Sequence, residues 1–174
     1  MVEVHQAVVV AGAVVEVGND PKTMNIKKAI IGDEKEIQSL ILRSVDPENN
    51  PDFDEEGQRN FIKPNELSAI IGRILDEEYL TLCCFHNEKI VGLIAVYQNE
   101  KLDQLFVDTS SRNKGVSKLL WQAAKRLCED NGSKGKFWVK SSTMAIPVYE
   151  SFGFKLTSGR QKSNGIVYYS MVLE

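Results

Sequence analysis

The sequence predicts an α+β (α/β) domain in which a mixed, mostly antiparallel central sheet is flanked by helices. Three observations support this prediction. Two segments with helical spacing of apolar residues come early, three strand-like segments follow as a meander, and a long amphipathic helix then separates the last of these strands from the next one. A strand–helix–strand order favours a parallel pair with a right-handed crossover, whereas a meander is antiparallel. The predicted order is β-α-α-β-β-β-α-β-α-β-β.

Length and composition narrow the class of protein. A chain of 174 residues is long enough to bury one sizeable core. The net charge of -3, with no run of Lys and Arg, argues against a nucleic-acid surface, and no apolar stretch is long enough to span a bilayer. The three cysteines lack a CxxC spacing, which indicates buried free thiols in a reducing cytoplasm. They are Cys83, Cys84 and Cys128.

The first 23 residues are interpreted as a leader, non-native or disordered, in front of a single domain at residues 24–174. Residues 8–15 are apolar, but the seven residues before them contain no Lys or Arg. A secretory signal needs a basic start, so this interpretation is rejected. Met24 opens a segment that is typical of a first strand.

The first half of the domain alternates between apolar and polar segments. Residues 25–31 predict a strand, and Asp33 with Glu36 predicts a capping box at the start of a helix. The acidic, Asn- and Pro-containing residues 46–58 predict a mobile loop. Apolar residues at helical spacing return in residues 67–75, which predicts a second helix.

The second half contains the clearest periodicity. The predicted meander consists of residues 79–85, 90–97 and 101–107. Apolar residues then recur at helical spacing from Val116 to Leu127, and Gly132 is the predicted C-terminal cap of that helix. The remaining predicted elements are a strand at 137–139, a short helix at 145–152 that Gly153 ends, and strands at 154–157 and 167–172.

The segment 105–120 carries the strongest functional signal. A strand ends, a polar loop follows, and an amphipathic helix begins next to Gly115. Unpaired N–H groups at a helix N-terminus attract anions, and a glycine lets a phosphate approach the backbone closely. Three cationic side chains lie nearby in sequence: Arg112, Lys114 and Lys118. Neither GxxxxGK[ST] nor GxGxxG is present, so the loop is not one of the common nucleotide-binding loops.

Two blocks of sequence resemble one known family. Residues 112–117, Arg-Asn-Lys-Gly-Val-Ser, resemble the Q/R-x-x-G-x-G/A signature of the GNAT acetyltransferase superfamily. Residues 140–154 resemble the later segment of that family, often N-x-x-A-x-x-x-Y-x-x-x-G-F. The matching positions are Ala145, Tyr149, Gly153 and Phe154. Ser117 replaces the usual Gly or Ala, and Ser142 stands where many members have Asn.

The resemblance implies the acyl-CoA N-acyltransferase fold, with acetyl-CoA as co-substrate and no metal. In the family the loop wraps the CoA pyrophosphate, and the strand before it hydrogen-bonds the pantetheine arm through its backbone. The residues expected to bind acetyl-CoA are therefore Leu105, Phe106, Val107, Arg112, Asn113, Lys114, Gly115, Val116, Ser117 and Lys118. The N–H of Val107 is the candidate oxyanion donor if the strand bulges at that residue.

The implied reaction is direct transfer of acetyl to a primary amine, and a non-catalytic CoA-binding sensor or scaffold is the alternative. Tyr149 is the candidate general acid for the departing thiolate, against a purely packing role. Asp103 is the candidate base, because period-two alternation places it on the strand face of Leu105 and Val107, although a solvated aspartate is the simpler interpretation. The weaker candidates are Glu100 and Asp108. The only histidines, His5 and His86, do not assemble a metal site or a Ser-His-Asp triad.

The acceptor is expected to be a small-molecule or peptide amine. Two segments are expected to border it, residues 46–66 and the last hairpin at residues 159–165. The run Asp54-Glu55-Glu56 would suit a cationic acceptor if it lies there. A homodimer is compatible with the sequence.

Overall fold

A computed structural model describes residues 24–174, and the prediction for residues 1–23 lies outside this range. The eight strands are β1 (Asn25–Lys28), β2 (Tyr79–His86), β3 (Lys89–Tyr97), β4 (Lys101–Val107), β5 (Phe137–Ser141), β6 (Lys155–Leu156), β7 (Gln161–Ser163) and β8 (Ile166–Leu173). The five α-helices are α1 (Glu34–Ser44), α2 (Glu55–Ile62), α3 (Leu67–Leu75), α4 (Val116–Asp130) and α5 (Ile146–Ser151). Within this range, no helix is long and apolar enough to cross a membrane.

The strands form one mixed sheet in the order β1-β2-β3-β4-β5-β8-β6, with β7 paired to β8 at one side. Every neighbouring pair is antiparallel except β4 and β5, which are parallel and joined through α4. This arrangement confirms the predicted mixed, mostly antiparallel sheet flanked by helices. The predicted β-α-β crossover is the connection β4-α4-β5.

Helices cover the two faces of the sheet and create two apolar cores. Helices α1, α2 and α3 bury Ile37, Leu40 and Phe61 against one face, whereas α4 and α5 pack against the other. Adjacent Cys83 and Cys84 belong to different cores, as strand alternation requires. All three cysteines are free and buried, in agreement with the prediction.

A glycine in β3 sets how closely α4 approaches the sheet. A Cβ atom at Gly92 would lie 2.6 Å from Cγ1 of Val116 and 2.9 Å from Cδ1 of Leu120. Only a residue without a side chain lets the first two turns of α4 pack this tightly. The N-terminus of α4 is thereby fixed beside the carboxyl end of β4.

The prediction of a mobile loop over residues 46–58 is wrong from Glu55 onward, where α2 begins. Asp54 caps this helix, because its side chain accepts a hydrogen bond from the N–H of Gly57 at 2.9 Å. Only Gly57 and Phe61 of α2 are buried, so the helix lacks the regular apolar spacing that reveals a helix in a sequence.

The capping box predicted for α1 is also absent. Asp33 accepts from the N–H of Ile30 at 3.0 Å and makes no cap bond to its own helix. Glu36 accepts instead from the N–H of Ile90, 2.7 Å away in β3. The Glu36 carboxylate, which the sequence pattern assigned to the start of α1, therefore binds a residue of β3 instead. Strand β1 ends at Lys28, three residues before its predicted end.

Candidate functional site

Strands β4 and β5 separate in the middle of the sheet. They pair only at Lys101 with Trp138 and at Leu102 with Val139, although β4 continues to Val107 and β5 to Ser141. Beyond these two pairs the strands diverge, and residues 103–107 have no strand partner on the side of β5. The split therefore presents backbone N–H and C=O groups along one edge of β4.

A β-bulge lies at the point where the split begins. Ala95 pairs with Gln104 and Val96 pairs with Leu102, so Asp103 is an extra residue in β4. Further along, Val107 pairs regularly with Gly92. The condition for Val107 as the oxyanion donor, a bulge at that residue, is therefore not met, because the bulge is at Asp103.

The bulge turns Asp103 to the sheet face of α3, where its Oδ2 atom accepts a hydrogen bond from the Tyr79 hydroxyl at 3.1 Å. Leu105 and Val107 pack against the core on the opposite face. The prediction that Asp103 shares their face is wrong, because one inserted residue shifts the period-two alternation.

Both oxygens of the Asp103 carboxylate have partners. Nζ of Lys101 lies 2.5 Å from Oδ1, and the Tyr79 hydroxyl binds Oδ2. Burial, and next the charge of Asp103, raises the pKa of Tyr79 to about 12. Tyr79 therefore stays protonated at neutral pH and keeps donating to the carboxylate.

The loop before α4 presents a row of free backbone amides. Asn113 and Gly115 have positive φ values of 60° and 81°, and α4 begins at the next residue. The N–H groups of residues 113–118 find no acceptor anywhere in residues 24–174. A Cβ at Gly115 would meet nothing within 4 Å, so the loop is open at this residue. Six adjacent donors at a helix N-terminus form a cradle for an anion, and the residues fit a phosphate group.

The charged side chains of the loop fall into two groups. Lys114 and Lys118 are exposed and have no carboxylate partner within residues 24–174. The guanidinium of Arg112 instead donates to the carbonyl of Ser44 at 2.9 Å, which holds the loop against the end of α1. Arg112 thus makes a structural contact within the protein, in addition to its predicted role in binding acetyl-CoA.

A second ion pair fixes the start of the same loop. Asp108 pairs with Arg43, whose Nη2 also donates to the carbonyl of Ile90 at 3.0 Å. The hydrogen bonds from Arg43 and Ser110 lower the pKa of Asp108 to about 2. A carboxylate that is already paired with Arg43 and Ser110 is a poor proton acceptor, which argues against Asp108 as the base. Glu100 is exposed in the β3–β4 turn.

Tyr149 lies on α5 and belongs to the core on the α4 side of the sheet. It is 6% exposed and packs edge-on against Phe152 and Phe154. Leu105 and Val107 pack against the same core, so the tyrosine is on the side to which these β4 residues point. Burial raises the pKa of the Tyr149 phenol above its usual value, and the group stays protonated throughout the neutral range.

The two segments that were expected to border the acceptor are joined to each other. The N–H of Asp54 donates to the carbonyl of Gly165 at 3.0 Å, and Nζ of Lys162 lies 2.5 Å from the Asp54 carboxylate. A Cβ at Gly57 would collide with the carbonyl of Gly165. Helix α2 and the β7–β8 hairpin therefore form one docked unit, and the run at residues 54–56 is partly neutralised.

Asp52 is a buried residue that the sequence analysis did not identify. Its carboxylate accepts from the N–H of Thr143 at 2.7 Å and from the Thr143 hydroxyl at 2.5 Å. Its carbonyl accepts from the N–H of Val167 at 2.7 Å. One aspartate thus ties the segment before α2 to β8 and to the turn that leads into α5 and Tyr149. No local pattern marks such a residue, because its partners lie about a hundred positions away in the chain.

Comparisons with known proteins agree with this geometry. A family model described as an acetyltransferase (GNAT) domain matches residues 49–174. None of the curated proteins is similar enough in sequence to match the chain.

Several solved structures share the fold at low sequence identity. An N-acetyltransferase, PaiA, from Thermoplasma acidophilum in complex with coenzyme A superposes with a TM-score of 0.74 at 17% identity, covering 86% of this chain and 98% of its own. A GCN5-related N-acetyltransferase from Rhodopseudomonas palustris gives 0.71 at 18% identity, covering 84% and 92%. The ribosomal-protein-S18-alanine N-acetyltransferase from Escherichia coli gives 0.58 at 18% identity, covering 87% and 93%. With the family model covering most of the domain, the chain belongs to the GNAT acetyltransferase family.

Proposed function

We propose that this protein transfers the acetyl group of acetyl-CoA to a primary amine by direct attack of the amine on the thioester. The observation that carries the proposal is the row of free amides at residues 113–118, placed beside the unpaired edge of β4. A phosphate cradle next to an open strand edge suits a ligand with a pyrophosphate and a long amide-containing arm.

In this proposal each half of the cofactor has its own contacts. The pyrophosphate binds the amides of residues 113–118, with Lys114 and Lys118 adding positive charge, and the pantetheine arm runs along residues 105–107. Fixing the cofactor in this way removes much of the entropic barrier to the reaction. Bound acetyl-CoA would supply an activated thioester whose sulfur leaves as a thiolate.

Tyr149 is the proposed general acid. A thiol has an ordinary pKa near 8.5, so the departing thiolate readily takes a proton from a positioned donor. Burial holds the pKa of Tyr149 above its usual value, so the phenol is still protonated when the thiolate departs. Its location on the face of Leu105 and Val107 is consistent with this role.

Asp103 is the proposed partner of the amine. An amine with a pKa near 10 is mostly protonated at neutral pH, so a proton must leave before it can attack. Asp103 lies at the start of the split on the face opposite Tyr149, where it can accept a hydrogen bond from the ammonium. Tyr79 and Lys101 hold the carboxylate in place, and Asp103 would pass the proton onward to solvent.

Two measurements test the proposal. Calorimetry should detect acetyl-CoA binding at micromolar levels, about -8 kcal/mol, and a thiol-release assay across polyamines, amino acids, aminoglycosides and peptides should find turnover. Absence of acetyl-CoA binding would contradict the proposal as a whole. Binding without turnover on any amine would favour a CoA-binding sensor or scaffold of the same fold.

The Tyr149→Phe variant tests the acid separately. It removes one buried hydroxyl and keeps the ring that packs against Phe152 and Phe154, so folding should be preserved. We expect kcat to fall by about 100-fold or more, in the range usual for a lost general acid. The Kd for acetyl-CoA should stay within about twofold of wild type, because the cradle at residues 113–118 is untouched. Unchanged turnover would remove Tyr149 from the mechanism.

A further inference from the structure

Within residues 24–174, the helices on the face of the sheet opposite α4 leave the side chains of β5 on that face exposed. Phe137 and Val139 of β5 are buried in the core under α4, so the alternate residues Trp138 and Lys140 point to the opposite side. Tyr168 of β8 lies on this side too, since Nζ of Lys140 is 4.6 Å from the centre of its ring. We call Trp138, Lys140 and Tyr168 the open face. Trp138 is 39% exposed, which is unusual for a tryptophan in a sheet.

The two lysines that touch these rings differ in their charge partners. Lys101 lies 5.5 Å from the Trp138 ring and pairs with Asp103. Lys140 is exposed, and no carboxylate within residues 24–174 pairs with it. The ring of Tyr168 restricts the position of this ammonium without neutralising its charge.

Lys140 also has a defined position relative to the split. The last paired residues are Leu102 in β4 and Val139 in β5, so Asp103 and Lys140 are the first residues beyond the pairing on the two strands. Both side chains lie on the sheet face opposite α4. A carboxylate and an unneutralised ammonium therefore stand on opposite sides of the opening through which the amine would approach.

We propose that the acceptor is zwitterionic: an amino-acid-like compound with a carboxylate close to its reacting amine. Its ammonium contacts Asp103, its carboxylate binds Lys140, and its side chain lies along the rings of the open face. A polycationic amine would instead add positive charge beside Lys140, which has no carboxylate to offset it within residues 24–174. This inference rests on the proposed acetyl transfer.

The reaction itself is unchanged by this choice of acceptor. The ammonium loses one proton to Asp103 and then to solvent, and its neutral nitrogen forms a bond to the acetyl carbon as the carbon–sulfur bond breaks. The nitrogen then loses a second proton, which balances the one that the sulfur takes up. The products are an N-acetyl amino acid and the free thiol. Lys140 takes no part in the proton transfers and acts as a specificity-determining residue.

The experiment compares acceptors with and without a carboxylate beside the amine, and it compares the same two acceptors in each variant. Amino acids are assayed beside their carboxamides, which keep the amine and the side chain but lose the negative charge. A charge-assisted hydrogen bond of usual strength predicts that wild type prefers the acid by about 10- to 100-fold in kcat/KM. In Lys140→Gln this ratio should fall to about one. Lys136→Gln is the matched control, because Lys136 is an exposed lysine just before β5, at the even spacing of Trp138 and Lys140. It should keep the wild-type ratio.

The possible outcomes separate this inference from the proposed function. Equal turnover of acids and carboxamides by wild type, or a preference that survives in Lys140→Gln, overturns the zwitterionic acceptor while acetyl transfer stands. If Lys136→Gln loses the preference as well, general surface charge explains it and the assignment to Lys140 is wrong. Binding of acetyl-CoA with no turnover of any amine overturns the proposed function, and the acceptor class with it.

Discussion

The surroundings of Tyr149 and Asp108 change the acidity of these two residues in opposite directions. Burial raises the pKa of Tyr149, whereas the hydrogen bonds from Arg43 and Ser110 lower that of Asp108 to about 2. At neutral pH the tyrosine therefore keeps its proton. The aspartate is a fixed negative charge that Arg43 neutralises, so it does not repel a phosphate from the loop.

The depressed pKa of Asp108 predicts acid sensitivity. Its pKa is about 2 in the folded state and near 3.8 when unperturbed, so the stabilisation is present above about pH 4 and is lost as the pH falls toward 2. Comparing urea unfolding at pH 5, 4 and 3, we expect Asp108→Asn to lose less stability than wild type over this interval. Asp130→Asn is the control, because Asp130 is exposed and its contact to Arg126 is 4.0 Å long. Parallel curves for wild type and Asp108→Asn would contradict the assignment.

For individual residues, the sequence was informative where the proposed role depends on neighbours in the same loop or helix. Gly115 and Tyr149 were recognised because they stand at fixed spacings within one loop or helix. Arg43 and Asp52 were not, because their partners are distant in the chain. Asp103 was found, but its face was predicted wrongly, because the bulge depends on how β4 pairs with β3.

Among the secondary-structure elements, α2 and the β7–β8 hairpin behave as one wall of the proposed acceptor site. Their contact depends on two glycines, Gly57 and Gly165, whose backbones touch. The Asp52 carboxylate then connects this wall to the turn before α5. Changes in this wall should therefore reach the turn that leads into α5 through the hydrogen bonds between Asp52 and Thr143.

Alanine at two helical glycines tests this contact. In Gly57→Ala the new methyl group meets the carbonyl of Gly165, and we expect a loss of about 1–3 kcal/mol in the free energy of unfolding. Gly72→Ala is the matched control in α3, where a Cβ meets nothing within 4 Å. It should stabilise the protein by about 0.5–1 kcal/mol, since alanine favours a helix more than glycine does. Chemical unfolding measures both, and equal effects would mean that α2 is not docked as described.

The elements with regular periodicity were predicted well. Strand β4 has its predicted bounds, and α3 and α4 begin at their predicted residues. Helix α2 was missed because it buries only two residues, although Asp54 followed by two glutamates is a helix-start pattern that could have revealed it. Strand β7 was missed because its three residues are polar and exposed.

The molecule as a whole is a sheet of two halves joined by few interactions between strands. Two residue pairs link β4 to β5, and α4 crosses from one half to the other. The pattern of strands and helices made the parallel pair predictable. The extent of the split was not, because divergence of two strands depends on the twist and packing of the entire sheet.

Binding of acetyl-CoA should therefore stabilise the whole fold. At a concentration of 100 times Kd the gain is about 2.7 kcal/mol, which corresponds to a rise of about 5–10 °C in Tm for a chain of this size. Hydrogen exchange at Leu105 and Val107 should slow at the same time, because their N–H groups point away from β3 and toward the split. Adenosine 3′,5′-bisphosphate, which lacks the pantetheine arm, is the control and should leave these amides unprotected. Equal protection by both ligands would show that the arm does not lie along β4.

The split also bears on how the protein avoids aggregation. Unpaired strand edges invite pairing with strands of other molecules, and natural sheets keep their outer edges short or charged. The outer strands here follow that rule: β1 has four residues and ends in two lysines, and β6 has two residues. The free edge of β4 is instead located inside the sheet, between two diverging strands. There it is flanked by β3 and β5, so it is not an outer edge of the sheet. Strand β4 can therefore keep its hydrogen-bonding groups available without presenting them to the strands of other molecules.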